Sequence, residues 1–276
     1  MTTCPLTWLY VPGDRPRVVT KALASGADVV VIDLEDAVAP DRKEYAREAT
    51  AERLRDPQPV PVHVRVNALD GPHAPLDLKA LAHLPGLAGL RLPKVTSPQQ
   101  VRNIAAAATP PDADTPPLYA LLETALGIEH AHAVAGAHPA LRGISLGEAD
   151  LRADLGLRDD RGLDWCRSRI VVAARAAGLP APPQSVHPDT RDLESLAASC
   201  AHGRALGFVG RAAIHPRQLP VIERAYLPTP REIEEAHHIL RAARAHQGAQ
   251  ALPNGTFIDA AVVATARRTL SLAHRV

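Results

Sequence analysis

The stretch Val29-Val30-Val31-Ile32-Asp33-Leu34-Glu35-Asp36-Ala37-Val38 decides how the rest of the chain is interpreted. Its first four residues are β-branched and apolar, and so short an apolar run predicts a strand buried on both faces, as in parallel sheets. Three carboxylates follow, at Asp33, Glu35 and Asp36. Acids crowded at the end of a buried strand repel one another unless a cation or hydrogen-bond donors gather there. They indicate either a functional site or solvated acids that cap the next helix.

The same unit of strand and helix recurs along the chain. Strands are predicted at residues 6–11, 29–32, 62–66, 89–92, 118–122, 143–146, 183–186 and 207–214, with helical segments between them. Eight such units in 276 residues favour a closed (β/α)8 barrel of the TIM type. The alternative is an open, doubly wound sheet. That fold would favour a glycine-rich phosphate loop, and neither G-x-G-x-x-G nor a Walker-type run is present.

The sequence after the last predicted strand exceeds what a barrel needs. We expect the barrel to occupy residues 1–220 and a helical extension to occupy residues 221–276. In the extension, Thr229-Pro230-Arg231-Glu232 is a capping-box pattern with proline at the first helical position, and an apolar segment begins at Ile258. Such a tail packs either on the barrel or on a neighbouring subunit, and we expect the neighbour.

Composition excludes several classes of protein. A net charge of +1 and 3% aromatic residues give no basic, aromatic surface for nucleic acid. No apolar run approaches the length that spans a membrane, and the N-terminus lacks a signal-peptide pattern. The three cysteines show no metal or redox spacing, so we expect reduced thiols and a cytoplasmic location.

Charged residues end several of the predicted strands, as they do around a barrel active site. Glu123 and Asp150 end the fifth and sixth strands, and two neighbouring carboxylates suit a hard cation such as Mg²⁺. The alternative is that both are solvated loop acids. Arg65 ends the third strand, where its planar guanidinium can bind a substrate carboxylate, pair with the Asp33–Asp36 acids, or do both. Lys94 after the fourth strand is better explained by an ion pair than by a Schiff base.

A set of motifs occurs in a fixed order along the chain. They are residues 9–16 (LYVPGDRP), 31–38 (VIDLEDAV), 64–67 (VRVN), 92–94 (LPK), 122–124 (LET), 146–151 (LGEADL) and 214–216 (IHP). In these motifs the chain resembles the citrate lyase beta-chain family of CoA-ester lyases, within the HpcH/HpaI aldolase group. The resemblance extends from about residue 6 into the C-terminal tail.

The resemblance implies a modified TIM barrel that forms a trimer, or a multiple of one, and binds Mg²⁺. It implies cleavage of a malyl-, citramalyl- or citryl-type 3-hydroxyacyl thioester into an acetyl thioester and a 2-oxo acid. By position, Glu123 and Asp150 would bind the metal, Glu123 would also contact substrate, and Arg65 would bind the carboxylate of the 2-oxo acid. Glu35 and Asp36, with Asp33, would order metal-bound waters.

Two further regions take roles from the resemblance. Asp259, at the end of residues 255–259 (GTFID), would reach the active site of a neighbouring subunit, where we expect it to transfer the proton at the enolate carbon. Pro12, Gly13 and Arg15 belong to a turn that would lie near the CoA phosphates. One position departs from the family pattern, because Gln184 stands where family members often carry aspartate.

Three other functions remain open from sequence alone. The chain could be the beta chain of a multi-subunit citrate lyase, whose substrate is carried on an acyl-carrier protein. It could be a metal-dependent aldolase that acts on small 2-oxo acids without a thioester. It could also be a non-catalytic barrel that serves as a scaffold, and Mg²⁺ binding would separate this case from the enzymes.

Overall fold

The computed structural model describes residues 4–110, 114–245, 250–251 and 257–273. Contacts along the chain divide it into two units, Leu6–Ala225 and Met1–Pro5 with Tyr226–Val276. In the described part of the chain, no helix is long and apolar enough to cross a membrane.

The first unit is built on one sheet of seven parallel strands. They are β1 (Thr7–Pro12), β2 (Val29–Asp33), β3 (Val62–Arg65), β4 (Leu87–Leu92), β5 (Leu118–Leu122), β6 (Leu141–Leu146) and β7 (Arg211–Ala213). Their spatial order is β6-β5-β4-β3-β2-β1-β7, so each of the first five strands pairs with the next along the chain, and β7 pairs with β1. Every residue of β2 is buried, which confirms the predicted strand with two covered faces.

Helices follow the strands and cover the sheet. They are α1 (Pro16–Leu23), α2 (Lys43–Leu54), α3 (His73–Leu81), α4 (Pro98–Ala108), α5 (Ala125–Glu129), α6 (Ala131–Ala135), α7 (Glu148–Asp154), α8 (Asp164–Ala176), α9 (Leu193–Leu206) and α10 (Leu219–Tyr226). Leucine, isoleucine, valine and alanine fill the space between helices and sheet. The strand order and the helices are those of a TIM-type α/β fold.

The prediction of a closed, eight-stranded barrel is wrong. At the predicted seventh strand, Gln184 alone bridges to β7, through N–H to the Gly210 carbonyl and its own carbonyl to Ala212 N–H. Pro182 and Pro183 lack the N–H groups that a strand ladder needs. No strand pairs with the free edge of β6 among the described residues. The sheet therefore stays open between β6 and Gln184.

The predicted eighth strand, residues 207–214, is shortened to the three residues of β7 for a related reason. Gly207 ends α9 with φ of 98°, and Gly210 has φ of 76°. At Gly210 a Cβ atom would lie 2.6 Å from the Leu6 Cα, so glycine permits the close approach of β7 to the start of β1.

The second unit contains two long helices that pack against each other, α11 (Pro230–Ala245) and α12 (Ala260–Ala273). The predicted capping box at the start of α11 is confirmed, because Thr229 N–H donates to Glu232 Oε2 and Glu232 N–H donates to Thr229 Oγ1. A short antiparallel pair joins Gln250–Ala251 to Phe257–Ile258. Residues 255 and 256 of the predicted GTFID run lie outside the described residues. The subunit contact of this extension stays a prediction.

Candidate active site

A cavity of about 450 Å³ opens at the carboxyl ends of the strands, where α/β folds place their functional groups. Of the residues singled out from sequence, its lining includes Pro12, Asp33, Asp36, Arg65, Glu123, Asp150 and Gln184. Gly13, Arg15 and Glu35, all of which the structure describes, are not part of the lining. The strand-end residues of five different strands are thus brought to one pocket, as the sequence predicted for a barrel site.

Glu123 is a buried carboxylate at the end of β5, with 2% of the residue exposed. Its Oε1 accepts a hydrogen bond of 2.7 Å from the Lys94 backbone N–H. Burial raises the pKa of Glu123 to about 7, and the nearby carboxylates of Glu35 and Asp150 add to the shift. A cation at this carboxylate would offset both effects.

The Glu123 side chain lies directly over Gly147, the residue that follows β6. A Cβ atom at Gly147 would be 2.5 Å from the Glu123 Cβ and closer still to its Oε2. Glycine at this position leaves the space that the buried carboxylate occupies.

Asp150 lies in the first turn of α7, half-buried and facing the same cavity. The start of α7 is fixed by Glu148, whose two oxygens accept hydrogen bonds of 2.9 and 2.6 Å from Arg167. Arg167, with 3% of its side chain exposed, also donates to Asp160 and Asp164. The pattern of strand ends gave no sign of Arg167, because it lies in the first turn of α8.

The donor set suits Mg²⁺, which binds through one or two carboxylates and keeps several waters. Among the described residues no group of three or more His, Cys, Asp or Glu could hold a metal ion. Glu123 and Asp150 are the two carboxylates of this cavity that were predicted to bind the ion, and water and substrate would have to complete its coordination. The upward pKa shift of Glu123 comes mainly from burial, and the Lys94 N–H and the charge of Arg65 only partly offset it.

Arg65 is held by the acids that follow β2. Its Nε and Nη2 donate to the two oxygens of Asp33 at 2.7 and 2.6 Å. Its Nη1 lies 2.9 Å from Glu35 Oε2, an ion pair without hydrogen-bond geometry, and 3.3 Å from Asp36 Oδ2. Burial lowers the pKa of Arg65, but the hydrogen bonds to Asp33 outweigh it and the net shift is upward. Asp36 is the one exposed partner, so a substrate carboxylate could reach Arg65 by replacing it.

Lys94 links the two groups of acids. Its Nζ is 3.1 Å from Glu35 Oε1, and its backbone N–H binds Glu123. The residue adopts φ of 50°, a left-handed conformation that costs a non-glycine residue about 1–3 kcal/mol. The ion pair predicted for Lys94 is thus present, and the strained backbone aims an N–H group at the buried carboxylate.

The remaining predicted residues lie in three places. Gln184 is buried, and its side-chain amide donates to the Ser199 carbonyl in α9. In the turn before α1, Gly13 N–H donates to the Asp33 carbonyl, and Arg15 is exposed. Asp259, in the second unit, caps α12 by accepting hydrogen bonds from the N–H groups of residues 261 and 262.

The HpcH/HpaI aldolase/citrate lyase family model matches residues 6–216. The chain belongs to this family. A (3S)-malyl-CoA thioesterase of Cereibacter sphaeroides is 38% identical, with 97% of this chain and 94% of the relative covered. The resemblance inferred from the sequence motifs is confirmed, and the chain is an enzyme of this family.

Two solved structures from Mycobacterium tuberculosis are similar to this one. The CitE protein in complex with magnesium, acetoacetate and coenzyme A has a TM-score of 0.83 at 36% identity, with 98% of each chain covered. A citrate lyase beta subunit complexed with oxaloacetate and magnesium has a TM-score of 0.70 at 36% identity, with 81% of this chain and 97% of that chain covered. Magnesium is thus bound in both relatives, as the sequence predicted for this family.

Proposed function

We propose that this enzyme is a Mg²⁺-dependent carbon–carbon lyase. Its substrate would be a malyl-, citramalyl- or citryl-type thioester, and its products an acetyl thioester and a 2-oxo acid. The observation that carries this assignment is the buried Glu123 carboxylate, which shares one cavity with Asp150 and with the guanidinium of Arg65. The relatives that bind magnesium with coenzyme A or with oxaloacetate support it.

The reaction moves one proton and one electron pair. A base takes the proton of the 3-hydroxyl group, and the bond between C2 and C3 of the acyl chain breaks. The hydroxyl carbon becomes the carbonyl of the 2-oxo acid, and the electron pair of the broken bond becomes the enolate of the acetyl thioester. A proton returned to the enolate carbon completes the acetyl group. Mg²⁺ held by Glu123 and Asp150 would supply Lewis-acid polarisation of the substrate oxygen.

The chain's own residues orient the substrate and handle these protons. Arg65 would bind the carboxylate next to the reacting carbon in place of its hydrogen bond to Asp36. Glu35 and Asp36 would order water around the ion. Asp259 of a neighbouring subunit would exchange the proton with the enolate carbon, which requires a homo-oligomer such as a trimer. The turn at Pro12, Gly13 and Arg15 would lie near the phosphates of the carrier.

A second reaction is favoured by one specific finding, the name of the 38% identical relative. A thioesterase adds water across the thioester bond and releases the intact hydroxy acid and the free thiol. A carboxylate in the cavity could act as the base that activates this water. The substrate would be the same as for the lyase, but the products differ.

Product analysis separates the two reactions. The purified chain is incubated with malyl-CoA, citramalyl-CoA and citryl-CoA, with Mg²⁺ or with EDTA, and the products are identified by mass spectrometry. We expect equal amounts of acetyl-CoA and a 2-oxo acid from at least one thioester, only with Mg²⁺. Free CoA with intact hydroxy acid would assign the thioesterase. A citryl thioester on an acyl-carrier protein is incubated in parallel, and if this ester and all three CoA esters stay intact, the lyase assignment is wrong.

A further inference from the structure

A second guanidinium lies at the floor of the same cavity. Arg91 is the fifth residue of β4, and in the sheet register it is the direct neighbour of Arg65 on β3 and of Tyr119 on β5. The residue is 2% exposed, and it contributes to the lining of the cavity. Leu90 and Leu92 flank it in the core, so the strand alternation turns Arg91 away from them, toward the cavity.

Arg91 differs from Arg65 in having no counter-charge. Within the described residues, no carboxylate oxygen lies close enough to Arg91 to form an ion pair, and its buried Nε has no hydrogen-bond partner. The neighbouring His63 offers no negative charge either: burial and the charge of Arg91 hold its pKa well below the usual value, so its ring is neutral. A buried guanidinium without a partner is costly, and the free protein bears this cost at a position that faces the cavity.

Aromatic rings hold the Arg91 guanidinium in place. Its Cζ lies 5.8 Å from the centre of the Tyr10 ring and 5.5 Å from the centre of the Tyr119 ring. The Tyr119 ring in turn packs over Gly89 and Gly143. A Cβ atom added at Gly89 would lie 2.7 Å from this ring and one added at Gly143 would lie 3.1 Å from it, so glycine at both positions leaves space for the ring. Cation–π contacts contribute about 0.5–2 kcal/mol, which fixes the orientation of the guanidinium without neutralising it. The free charge is therefore preorganised for an anion.

We propose, on the basis of the function proposed above, that Arg91 binds a second carboxylate on the 2-oxo acid half of the substrate. Arg65 and the metal would account for the carboxylate next to the reacting carbon, and Arg91, which also lines the cavity, is available for another. A citryl-type thioester carries this second carboxylate, whereas a citramalyl-type thioester has a methyl group there and a malyl-type thioester has hydrogen. A methyl group would leave the buried guanidinium unpaired, so the enzyme should select a dicarboxylic 2-oxo acid over pyruvate or glyoxylate.

Direct binding of the 2-oxo acids tests this role without requiring catalysis. Oxaloacetate and pyruvate are titrated into the full chain with Mg²⁺ present, and the heat of binding is measured. Arg91→Met removes the charge at similar side-chain length, and Arg175→Met on the exposed face of α8 is the matched control. We expect the wild type to prefer oxaloacetate by about 100-fold, Arg91→Met to lose this preference with pyruvate affinity unchanged, and the control to keep it.

The folded state supplies a second readout. Because Arg91→Met removes an unpaired buried charge, its melting temperature should equal or exceed that of the wild type. A lower melting temperature with an unchanged oxaloacetate preference would assign Arg91 a purely structural role. If Arg91→Met does not fold, Arg91→Lys keeps the charge but loses the planar fork, and it should weaken the preference.

Other outcomes overturn the role of Arg91. They are equal wild-type affinity for the two acids, binding of neither acid, or an equal loss of both in Arg91→Met. The lyase assignment is judged separately from the products of the thioesters. Equal cleavage of citryl-CoA and citramalyl-CoA would refute the role of Arg91 and keep the lyase. A preference for oxaloacetate that depends on Arg91, without thioester cleavage, would keep Arg91 and refute the lyase.

Discussion

Replacing Gly147 by alanine should disable the proposed metal site without removing either of its carboxylates. The added Cβ would lie 2.5 Å from the Glu123 Cβ, whereas carbon atoms in contact are normally about 3.5–4.0 Å apart. One of the two groups must therefore move by about 1 Å. The backbone itself accepts alanine, since Gly147 has φ of −97°. Any effect thus comes from the displaced Glu123 side chain.

The structure sets the size of this effect. Overpacking of a buried site costs about 1–3 kcal/mol of the free energy of unfolding. Changes that misplace a metal ligand typically cost 10–100-fold in metal affinity, and we expect a loss of about this size for Mg²⁺. Gly136→Ala is the matched control, because its Cβ would have no neighbour closer than 3.8 Å and its φ is −95°. It should leave both quantities unchanged.

Calorimetric titration with Mg²⁺ and thermal unfolding measure both quantities on the same samples. The expected result is a folded Gly147→Ala protein with weakened Mg²⁺ binding, next to a normal Gly136→Ala protein. Wild-type Mg²⁺ affinity in folded Gly147→Ala would show that the observed position of Glu123 is not needed for the metal, and it would refute this reasoning.

Three other changes have defined outcomes. Burial keeps His63 neutral in the folded state, whereas in the unfolded chain its imidazole takes up a proton near pH 6.5. The contribution of His63 to the free energy of unfolding should therefore be full above that pH and fall by up to about 1.4 kcal/mol per pH unit below it. In urea unfolding between pH 5 and 8, the free energy of unfolding should depend less on pH in His63→Gln than in the wild type, and should be unchanged in the exposed-site variant His132→Gln. Identical pH dependence in His63→Gln and the wild type would contradict the role of His63. Arg167→Gln leaves Glu148 without its bidentate partner and should cost about 3 kcal/mol in urea unfolding, and a loss below the error of the measurement would argue against the network. Asp259→Ser keeps a helix-capping oxygen but removes the carboxylate, so turnover should fall while the oligomer seen by size-exclusion chromatography persists; normal turnover would exclude Asp259 from the reaction.

The sequence was sufficient to predict those elements that depend on a few neighbouring residues. The β2 strand follows from four consecutive β-branched residues, and no other conformation buries such a run as simply. The grouping of Glu123, Asp150 and Arg65 around one cavity followed from the rule that parallel strands end at the same edge. These predictions needed only the order of the strands, which is independent of whether the barrel closes.

The closure of the sheet could not be predicted in this way. The strand predicted at residues 183–186 had only weak support, and Pro182 and Pro183 lack the N–H donors that a full ladder requires. The extent of β7 likewise depends on the positive φ angles of Gly207 and Gly210, which follow from contacts distant in sequence.

Arg91 and Arg167 were missed for a different reason. Only residues at or beyond strand ends were considered as site residues, and Arg91 lies one position before the end of β4. A charged residue within an otherwise apolar strand was the available signal. Arg167 gave none, because arginine is common on helices and its burial depends on acids from α7 and the following turn.

The Mg²⁺ dependence of thioester cleavage in carboxylate variants tests the central claim most directly. Glu123→Gln and Asp150→Asn keep the size of each side chain and remove its charge, and Glu194→Gln on the exposed face of α9 is the control. Acetyl-CoA release is followed while Mg²⁺ is increased. We predict that the first two variants stay folded and lose at least about 100-fold in rate at any Mg²⁺ concentration, while the control behaves as the wild type. Wild-type, Mg²⁺-dependent rates in both site variants would contradict the account.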